Sequence, residues 1–171
     1  MDSVYKIKKN LKVPMVLATV LSIPVFADVL MRGFELSMLI LAVILMILFY
    51  LLTINNILRK VHITDTEIIM RSIGGLRRIP VQDITLIDGV TMGSKQFLSI
   101  SGNKKHYLIP NSFDNFPEML SDIQKVAREE TLGKGFEGLK ENYVPRKSDI
   151  AGAWITVLVL VIILFIRFFP K

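Results

Sequence analysis

Three long runs of apolar residues divide the chain. They are Val13–Met31, Leu36–Leu58 and Ala151–Phe169, and each is about the length that an α-helix needs to cross the core of a bilayer. The second run is the purest, because no charged residue falls between Leu36 and Ile54. A charge-free stretch of this length is typical of a transmembrane helix rather than of a helix in a soluble core. The sequence therefore predicts three transmembrane helices, the first two of which form a hairpin.

The residues between the second and third runs have the pattern of short β-strands joined by tight turns. Apolar and polar side chains alternate along much of this segment, as they do when one face of a sheet is buried. Gly74-Gly75 and Gly102-Asn103 are typical of hairpin turns, and Pro80 and Pro110 indicate strand ends. The predicted strands cover residues 61–64, 67–73, 76–80, 84–87, 97–101 and 105–109.

The spacing of apolar residues then changes to that of a helix. Apolar side chains recur every three or four positions, at Phe113, Phe116, Leu120, Ile123 and Ala127. We expect Asn111 or Ser112 to cap the start of this helix, and the helix to end near Gly133. Residues 133–149 are rich in glycine and charge, and they predict a linker, or a poorly packed amphipathic stretch, that leads back to the membrane.

Two segments of this block resemble the bacterial pleckstrin-homology-like (PH-like) domains. The first, HITDTEIIMRSIGGLRRIPVQDITLI, contains an Ile-Pro-x-x-Asp-Ile pattern at residues 79–84. The second, KKHYLIPNSFDNFPEMLSDI, contains an Ile-Pro-Asn step at residues 109–111. The resemblance covers roughly residues 58–130. It implies a small curved antiparallel sheet closed by a C-terminal helix, in a domain of a kind that often adjoins transmembrane helices. The predicted strands are fewer than the seven of a full sheet, so one strand is either degenerate or supplied by residues 54–60.

Together these patterns predict a membrane protein with three transmembrane helices and a PH-like antiparallel sheet capped by a C-terminal helix. The predicted order is a basic arm at 1–12, the helical hairpin at 13–58, the PH-like domain at 59–132, the linker at 133–149 and the third transmembrane helix at 150–169. The composition agrees, because 51% of the residues are hydrophobic, which is high for a soluble domain of this size.

Lysine and arginine are concentrated in the arm and at both ends of the block that carries the strands. The arm alone contains Lys6, Lys8, Lys9 and Lys12. Because such residues favour the cytoplasmic side, we expect the N-terminus and the PH-like domain in the cytoplasm. The turn at Gly33 and the C-terminus then lie outside the cytoplasmic (inner) membrane of a bacterium. Arg167 and Lys171 run against this rule, although an arginine near a helix end can extend its side chain to the interface.

The first apolar run is open to a second interpretation. A basic N-terminal region, a short apolar core and the sequence Val25-Phe26-Ala27 together have the form of a cleaved signal peptide. The hairpin interpretation uses the same residues and places Pro14 in the first helical turn, where its missing N–H does no harm. We expect Met1–Ala27 to stay attached, and cleavage after Ala27 is the alternative.

No catalytic or metal-binding motif stands out. The chain has no cysteine and two histidines, His62 and His106, each in a predicted strand. A single histidine on a strand is more typical of a half-exposed packing residue than of a metal ligand or catalyst. The sequence also has no metalloprotease, phosphate-loop or serine-hydrolase motif. We therefore expect a protein that is not an enzyme and that needs no cofactor or metal.

The candidate contact residues are basic. They flank the two glycine turns and comprise Arg71, Arg77, Arg78, Lys104 and Lys105. If both turns lie at the membrane end of the sheet, these side chains are candidates for contact with lipid headgroups or with a partner protein. The alternative is that they are solvated turn charges.

Asp28 is the one acidic residue within a predicted span. An ionisable group inside a membrane is a functional candidate, for example in transport or a proton relay. The plainer interpretation is a helical ion pair with Arg32, one turn further along and near the outer interface.

The leading hypothesis for function is a membrane-anchored binding or assembly module that scaffolds or regulates a membrane protein complex and associates with itself. The expected partners are membrane lipids and other membrane proteins or further copies of the chain. Nucleic acid is not expected, because acidic and basic residues nearly balance in the strand-bearing block. The alternative is an accessory or regulatory subunit of a transporter or pore, followed by a membrane enzyme acting on lipid. The low polarity of the spans favours the anchor.

Overall fold

The computed structural model describes residues 2–31, 35–93, 95–102, 105–145 and 147–169. Their backbone forms two compact units. One unit contains the chain up to Lys8 together with Leu58–Lys147, and the other contains Lys9–Ile57 together with the chain from Ser148 onward. Each unit is therefore discontinuous in sequence.

Seven strands and five α-helices follow one another along the described residues. The strands are β1 (Asp2–Lys6), β2 (Lys60–Thr64), β3 (Glu67–Ser72), β4 (Gly75–Pro80), β5 (Ile84–Met92), β6 (Lys95–Gly102) and β7 (Lys105–Pro110). The helices are α1 (Lys9–Met31), α2 (Leu36–Leu58), α3 (Phe116–Val126), α4 (Lys134–Glu141) and α5 (Lys147–Phe168). The hairpin of α1 and α2 thus stands between β1 and β2 in the chain.

The helical unit consists of α1, α2 and α5. Among the described residues these three helices are long and apolar enough to cross a membrane, as the apolar runs predict. The hydroxyl groups of Ser22 and Tyr50 lie 3.0 Å apart and join α1 to α2. The ring of Phe26 packs beside those of Phe49 and Tyr50, at centroid distances of 6.4 and 6.1 Å. The three helices indicate a membrane protein.

The strands form two antiparallel sheets, with the orders β1-β2-β3-β4 and β5-β6-β7. We predicted a single curved sheet, and the difference arises after β4. There Pro80 ends the strand and a single 3-10 turn, Val81–Asp83, separates it from β5. Pro80 has no N–H to continue the ladder, so the chain is free to begin a second sheet.

Strand β1 comes from the segment that we predicted as a basic arm. It pairs with β2 along its whole length, from Asp2 opposite Thr64 to Lys6 opposite Lys60. The seventh strand is therefore supplied by the N-terminus rather than by residues 54–60, most of which belong to α2. The lysines of this segment led us to predict a solvated arm, although Tyr5 is buried and alternates with exposed neighbours as in a strand.

Helix α3 supplies much of the core of the strand-bearing unit. Its buried side chains include Phe116, Met119, Leu120 and Ile123. The helix is shorter than predicted at both ends. Its N-cap is Asn115, in the left-handed conformation with φ of 46°, and the predicted caps Asn111 and Ser112 are buried in the preceding turn.

Helix α4 lies in the segment for which we left open a linker or a poorly packed amphipathic stretch, and residues 134–141 form a packed helix instead of a linker. Phe136 and Leu139 are buried, and the helix packs against β5. This contact depends on Gly89, because a Cβ atom there would lie 2.0 Å from the carbonyl oxygen of Gly135. The third long helix then begins at Lys147, a little before the predicted boundary.

Candidate functional site

The described members of the five basic residues predicted around the glycine turns belong to two different sheets. Arg71, Arg77 and Arg78 lie on the β3–β4 hairpin of the first sheet, and Lys105 begins β7 of the second. Lys104 lies outside the described residues. Even on the hairpin the side chains alternate, since Arg71 and Arg78 share one face and Arg77 belongs to the other. The hairpin tip also exposes Leu76, at 61% of its full area.

The strand register instead places three cations in a row on the first sheet. Lys6 lies opposite Lys60, and Lys60 lies opposite Arg71. Residues that face each other across antiparallel strands lie on the same side of the sheet. This side is the one turned away from the core, because the buried residues Val61 and Ile63 alternate with Lys60 on β2. We call Lys6, Lys60 and Arg71 the cationic row.

The cationic row has no acidic counterpart among the described residues, since its three side chains make no ion pair there. Other basic side chains of the same sheet have acidic neighbours: His62 contacts Asp2, and Arg78 lies 3.5 Å from Glu67. Like charges directly opposite each other on a sheet are destabilising. An anion bound beside the cationic row would therefore reduce the repulsion among its three positive charges.

Two lysines of the cationic row are close in the chain to the long apolar helices. Lys6 stands three residues before the first residue of α1, and Lys60 stands two residues after the last residue of α2. A fully extended segment of three residues spans at most about 11 Å. Both lysines are consequently held within about 11 Å of the end of a helix that is long enough to cross a membrane.

A buried polar cluster ties β1 to α3. The hydroxyl group of Tyr5 donates to the carboxylate of Asp122 across 2.6 Å, and the ammonium of Lys125 donates to the same carboxylate across 2.9 Å. Asp122 is only 5% exposed. Its carboxylate is thus removed from water and depends on these donors.

The hydrogen bond between Tyr5 and Asp122 shifts the pKa values of both groups and favours a neutral phenol and a charged carboxylate. Burial alone acts to raise the pKa of Asp122, but the hydrogen bonds from Tyr5 and Lys125 outweigh it, so the pKa lies below its usual value. Burial, followed by the hydrogen bond to Asp122, raises the pKa of the Tyr5 phenol. At neutral pH neither group is near its titration point, so the pair is suited to holding β1 in place and not to exchanging protons.

A second buried network fastens the segment that follows α4. The side-chain amide of Gln96 donates to the carbonyl oxygen of Asn142 across 2.7 Å and accepts from the N–H of Val144 across 2.9 Å. The amide of Asn111 donates to the carbonyl oxygen of Val144 across 3.0 Å. Lys8, in the segment between β1 and α1, donates to the hydroxyl of Tyr143 across 2.7 Å. These bonds lock the segment before α5 onto the strand-bearing unit.

The two histidines have ordinary strand environments. His62 contacts the carboxylate of Asp2 on the neighbouring strand, and the Nδ1 atom of His106 lies 2.8 Å from the hydroxyl of Ser101. Across the part of the chain that the structure describes, no three acidic or histidine side chains come together as metal ligands. The histidines therefore act within cross-strand pairs.

Asp28 forms an ion pair with Arg167 inside the helical unit. The Nε atom of Arg167 donates to both carboxylate oxygens of Asp28, at 3.0 Å each, and so joins α1 to α5. The partner that we predicted, Arg32, lies outside the described residues. From the sequence we expected Arg167 only to extend its side chain toward the interface. Its contact with Asp28 could not be predicted, because the two residues are far apart in the sequence.

Comparison with known proteins yields no match to any family model, any curated protein or any solved structure. Function therefore has to be argued from the geometry itself. In the part of the chain that the structure describes, that geometry offers a cationic row on one sheet face, two hydrogen-bonded polar clusters and an ion pair between two spans.

Proposed function

We propose that the protein is a membrane-anchored, PH-like binding and assembly module that scaffolds or regulates a membrane protein complex and associates with copies of itself. The observation that carries the proposal is a pair of open sheet edges. In the described residues β4 pairs only with β3, and β7 pairs only with β6. Their exposed leucines, Leu76 and Leu108, stand at 61% and 59% exposure. An open edge with apolar side chains is suited to accept a strand from a partner.

The two remaining edge strands, β1 and β5, differ because each makes a backbone contact with another segment of the chain at one point. The N–H of Gly133 donates to the carbonyl oxygen of Ile87 across 2.7 Å at the free side of β5. The end of β1 is bridged through Ile7 and Phe113. Natural sheets usually protect their unpaired edges from pairing with other chains, often with charged residues or proline. Strand β4 carries Arg77, Arg78 and Pro80, which disfavour non-specific pairing. This combination favours a selective partner.

The order of elements supports a PH-like fold as part of this proposal. Four strands in one sheet and three in the next precede helix α3, which buries its apolar face in the same unit. The helical hairpin between β1 and β2 then serves as an insertion into the domain, and α5 as its C-terminal anchor. Retention of Met1–Ala27 belongs to the same proposal, because cleavage after Ala27 would remove β1 from the sheet.

For orientation we propose a cytoplasmic domain and an outer C-terminus in a bacterial inner membrane. The cationic row supports this, since the cytoplasmic leaflet carries anionic lipids and attracts such residues by about 1 kcal/mol each. Arg167, which runs against the positive-inside rule, is paired with Asp28. The lipid partners of the proposal are therefore the anionic headgroups beside Lys6, Lys60 and Arg71.

The ion pair also favours an anchor over a transport subunit. A transport path needs polar side chains that face a substrate or an ion, whereas both carboxylate oxygens of Asp28 accept from the Nε atom of Arg167 and so join α1 to α5. We also propose no enzymatic role. The pKa values of Tyr5 and Asp122 lie away from neutral pH, and the two histidines lie in cross-strand pairs. Variants His62→Ala and His106→Ala should retain function in a complementation assay.

Self-association can be tested by single-cysteine cross-linking, because the chain has no cysteine of its own. Leu76→Cys and Leu108→Cys place a thiol at each open edge, and Glu130→Cys, whose parent side chain is 72% exposed, is the matched control. Oxidation in native membranes should give covalent dimers from at least one edge variant and none from the control. A monomer by light scattering in detergent, with no cross-link and no co-purifying protein, would contradict the proposal.

The orientation can be tested with the same variant. A membrane-impermeant maleimide added to intact spheroplasts should leave Leu108→Cys unlabelled until the membrane is permeabilised. Labelling of intact spheroplasts would place the domain outside and overturn the orientation.

A further inference from the structure

Each sheet has one end from which the chain passes into the long apolar helices. In the first sheet this end carries Lys6, the last residue of β1 before α1, and Lys60, the first residue of β2 after α2. In the second sheet it carries Gln96, whose side chain accepts from the N–H of Val144, three residues before the start of α5. We call these the helix-side ends of the two sheets.

A tight hairpin turn lies at the helix-side end of each sheet. The turn between β3 and β4 follows Arg71, which lies opposite Lys60, and the turn between β5 and β6 comes shortly before Gln96. Each hairpin has a glycine with positive φ beside its turn, Gly75 at 106° and Gly93 at 60°. Because glycine adopts this conformation without steric cost, the chain reverses within a few residues. The strand residues next to each turn therefore form the tip of the hairpin.

The two tips carry the same combination of side chains, an exposed apolar residue opposite a cation. At the first tip Leu76, which is 61% exposed, lies opposite Arg71. At the second tip Met92, which is 68% exposed, lies opposite Lys95. Neither cation forms an ion pair within the part of the chain that the structure describes. Because cross-strand partners share a face of their sheet, each tip presents apolar surface and positive charge side by side.

The acidic residues in the strands of the first sheet lie at its other end. Asp2 is opposite Thr64, and Glu67 is opposite Pro80, both remote from the helix-side end. An anionic surface is therefore attracted to the helix-side end and repelled from the opposite one. Lysine and arginine are drawn to anionic lipid headgroups, and apolar side chains beside them are stabilised at the boundary of the acyl chains. This distribution of charge and apolar surface matches an anionic bilayer.

We propose that both hairpin tips insert into the headgroup layer of an anionic phospholipid membrane. In this arrangement Leu76 and Met92 lie toward the acyl chains, and Arg71 and Lys95 bind lipid phosphates. The inference deepens the lipid contact that we proposed for the cationic row, because it adds the second sheet and the apolar side chains. The open edge of β7, which carries Leu108, is not used and remains available for self-association.

The test is spin labelling of the full chain in nanodiscs that contain phosphatidylglycerol and phosphatidylcholine. A nitroxide is attached at Leu76→Cys or Met92→Cys, and its collisions with oxygen, which is enriched in the bilayer, are compared with its collisions with a water-soluble nickel chelate. Leu86→Cys is the matched control, because Leu86 is 43% exposed on the same strand as Met92 and lies about 20 Å from it on the same face. We expect the two tip labels to favour oxygen and the control label to favour nickel. Equal behaviour of the three labels would overturn the proposal.

Matched charge variants test the role of the cations. Each cation beside an anionic surface strengthens its binding by about fivefold. Arg71→Gln should therefore lower the ratio of inserted to free label at position 76 by about fivefold, and Lys95→Gln should do the same at position 92. Lys105→Gln, at the opposite end of the second sheet, should leave both ratios unchanged. An equal loss in all three variants, or a loss in none, would overturn the proposal.

The lipid composition separates the membrane from other sources of phosphate. In nanodiscs of phosphatidylcholine alone the tip labels should stay accessible to nickel, and added inorganic phosphate should not change this. Full insertion without anionic lipid, or protection by inorganic phosphate, would overturn the proposal. Each disc holds one chain and has the same lipids in both leaflets, so the result depends neither on self-association nor on orientation. This proposal and the proposed function can therefore fail separately.

Discussion

The hydrogen bond from Tyr5 to Asp122 should decide how firmly the first strand is held. Tyr5→Phe keeps the ring in its buried position on β1 and removes only the hydroxyl that lies 2.6 Å from the carboxylate. Asp122 keeps its bond from Lys125, so the carboxylate loses one donor and is not left bare. The expected result is a weaker attachment of β1 to the rest of its unit.

The magnitude follows from the type of bond. A hydrogen bond to a charged group contributes about 1.5–3 kcal/mol to stability. Each 1.4 kcal/mol is a tenfold change in an equilibrium constant, so the open population of β1 should rise by about 10- to 150-fold. The upper part of this range applies if water cannot replace the hydroxyl, because Asp122 is only 5% exposed.

Native-state hydrogen exchange of the full chain in detergent measures this opening directly. Exchange at the amides of β1 and β2 should accelerate in Tyr5→Phe by the factor given above, while exchange in α2 should stay constant. Tyr107→Phe is the matched control, because Tyr107 is half-buried on β7 and its hydroxyl makes no hydrogen bond among the described residues. The reasoning is refuted if the two variants exchange alike.

Three other outcomes concern the same unit. Phe116→Ala or Leu120→Ala should lower the free energy of unfolding by about 2–5 kcal/mol, since both side chains are fully buried. Glu118→Ala on the exposed face should change this free energy little. Denaturant titration in detergent compares the three variants. Gly89→Ala should detach α4 and increase its proteolysis, because a Cβ atom would lie 2.0 Å from a backbone oxygen of that helix. The charged carboxylate of Asp122 should contribute its full stabilisation at pH values above the ordinary aspartate pKa of 3.8. This stabilisation should be lost as the pH falls through the lowered pKa of Asp122 in the folded protein. The stability of Asp122→Asn should not show this loss in an acid titration.

The spans and most strands could be predicted because their signals are local. An unbroken apolar run of this length is typical of a bilayer span, and alternation bounded by glycine and proline marks a strand. The ends of the predicted strands lie within about two residues of those observed, except that β5 continues five residues beyond its predicted end at Ile87. Strand β1 was missed since its lysines resembled a solvated arm, and its partner β2 lies beyond two spans. The firm packing of helix α4 was missed because the glycines of its segment suggested a linker or a poorly packed stretch, whereas Gly89 and Gly135 permit close packing.

The candidate site depended on register and could not be predicted in the same way. The cationic row joins Lys6, Lys60 and Arg71, which are far apart in sequence and meet only through two strand pairings. Likewise, Asp28 could be paired by sequence only with the neighbour one turn away, and its contact with Arg167 arises from the meeting of α1 and α5. Long-range pairings of this kind are carried by the fold and not by any short motif.

The position of the helical hairpin between β1 and β2 sets the order in which the protein can be made. Strand β1 leaves the ribosome first, but the strand that completes its hydrogen bonds follows only after both α1 and α2 have been synthesised. The first sheet therefore cannot close until the hairpin has been synthesised. A folded hairpin brings its own two ends together, which removes most of the entropy that a flexible connection of that length would lose. Closure of the first sheet is thereby coupled to the folding of the first two helices.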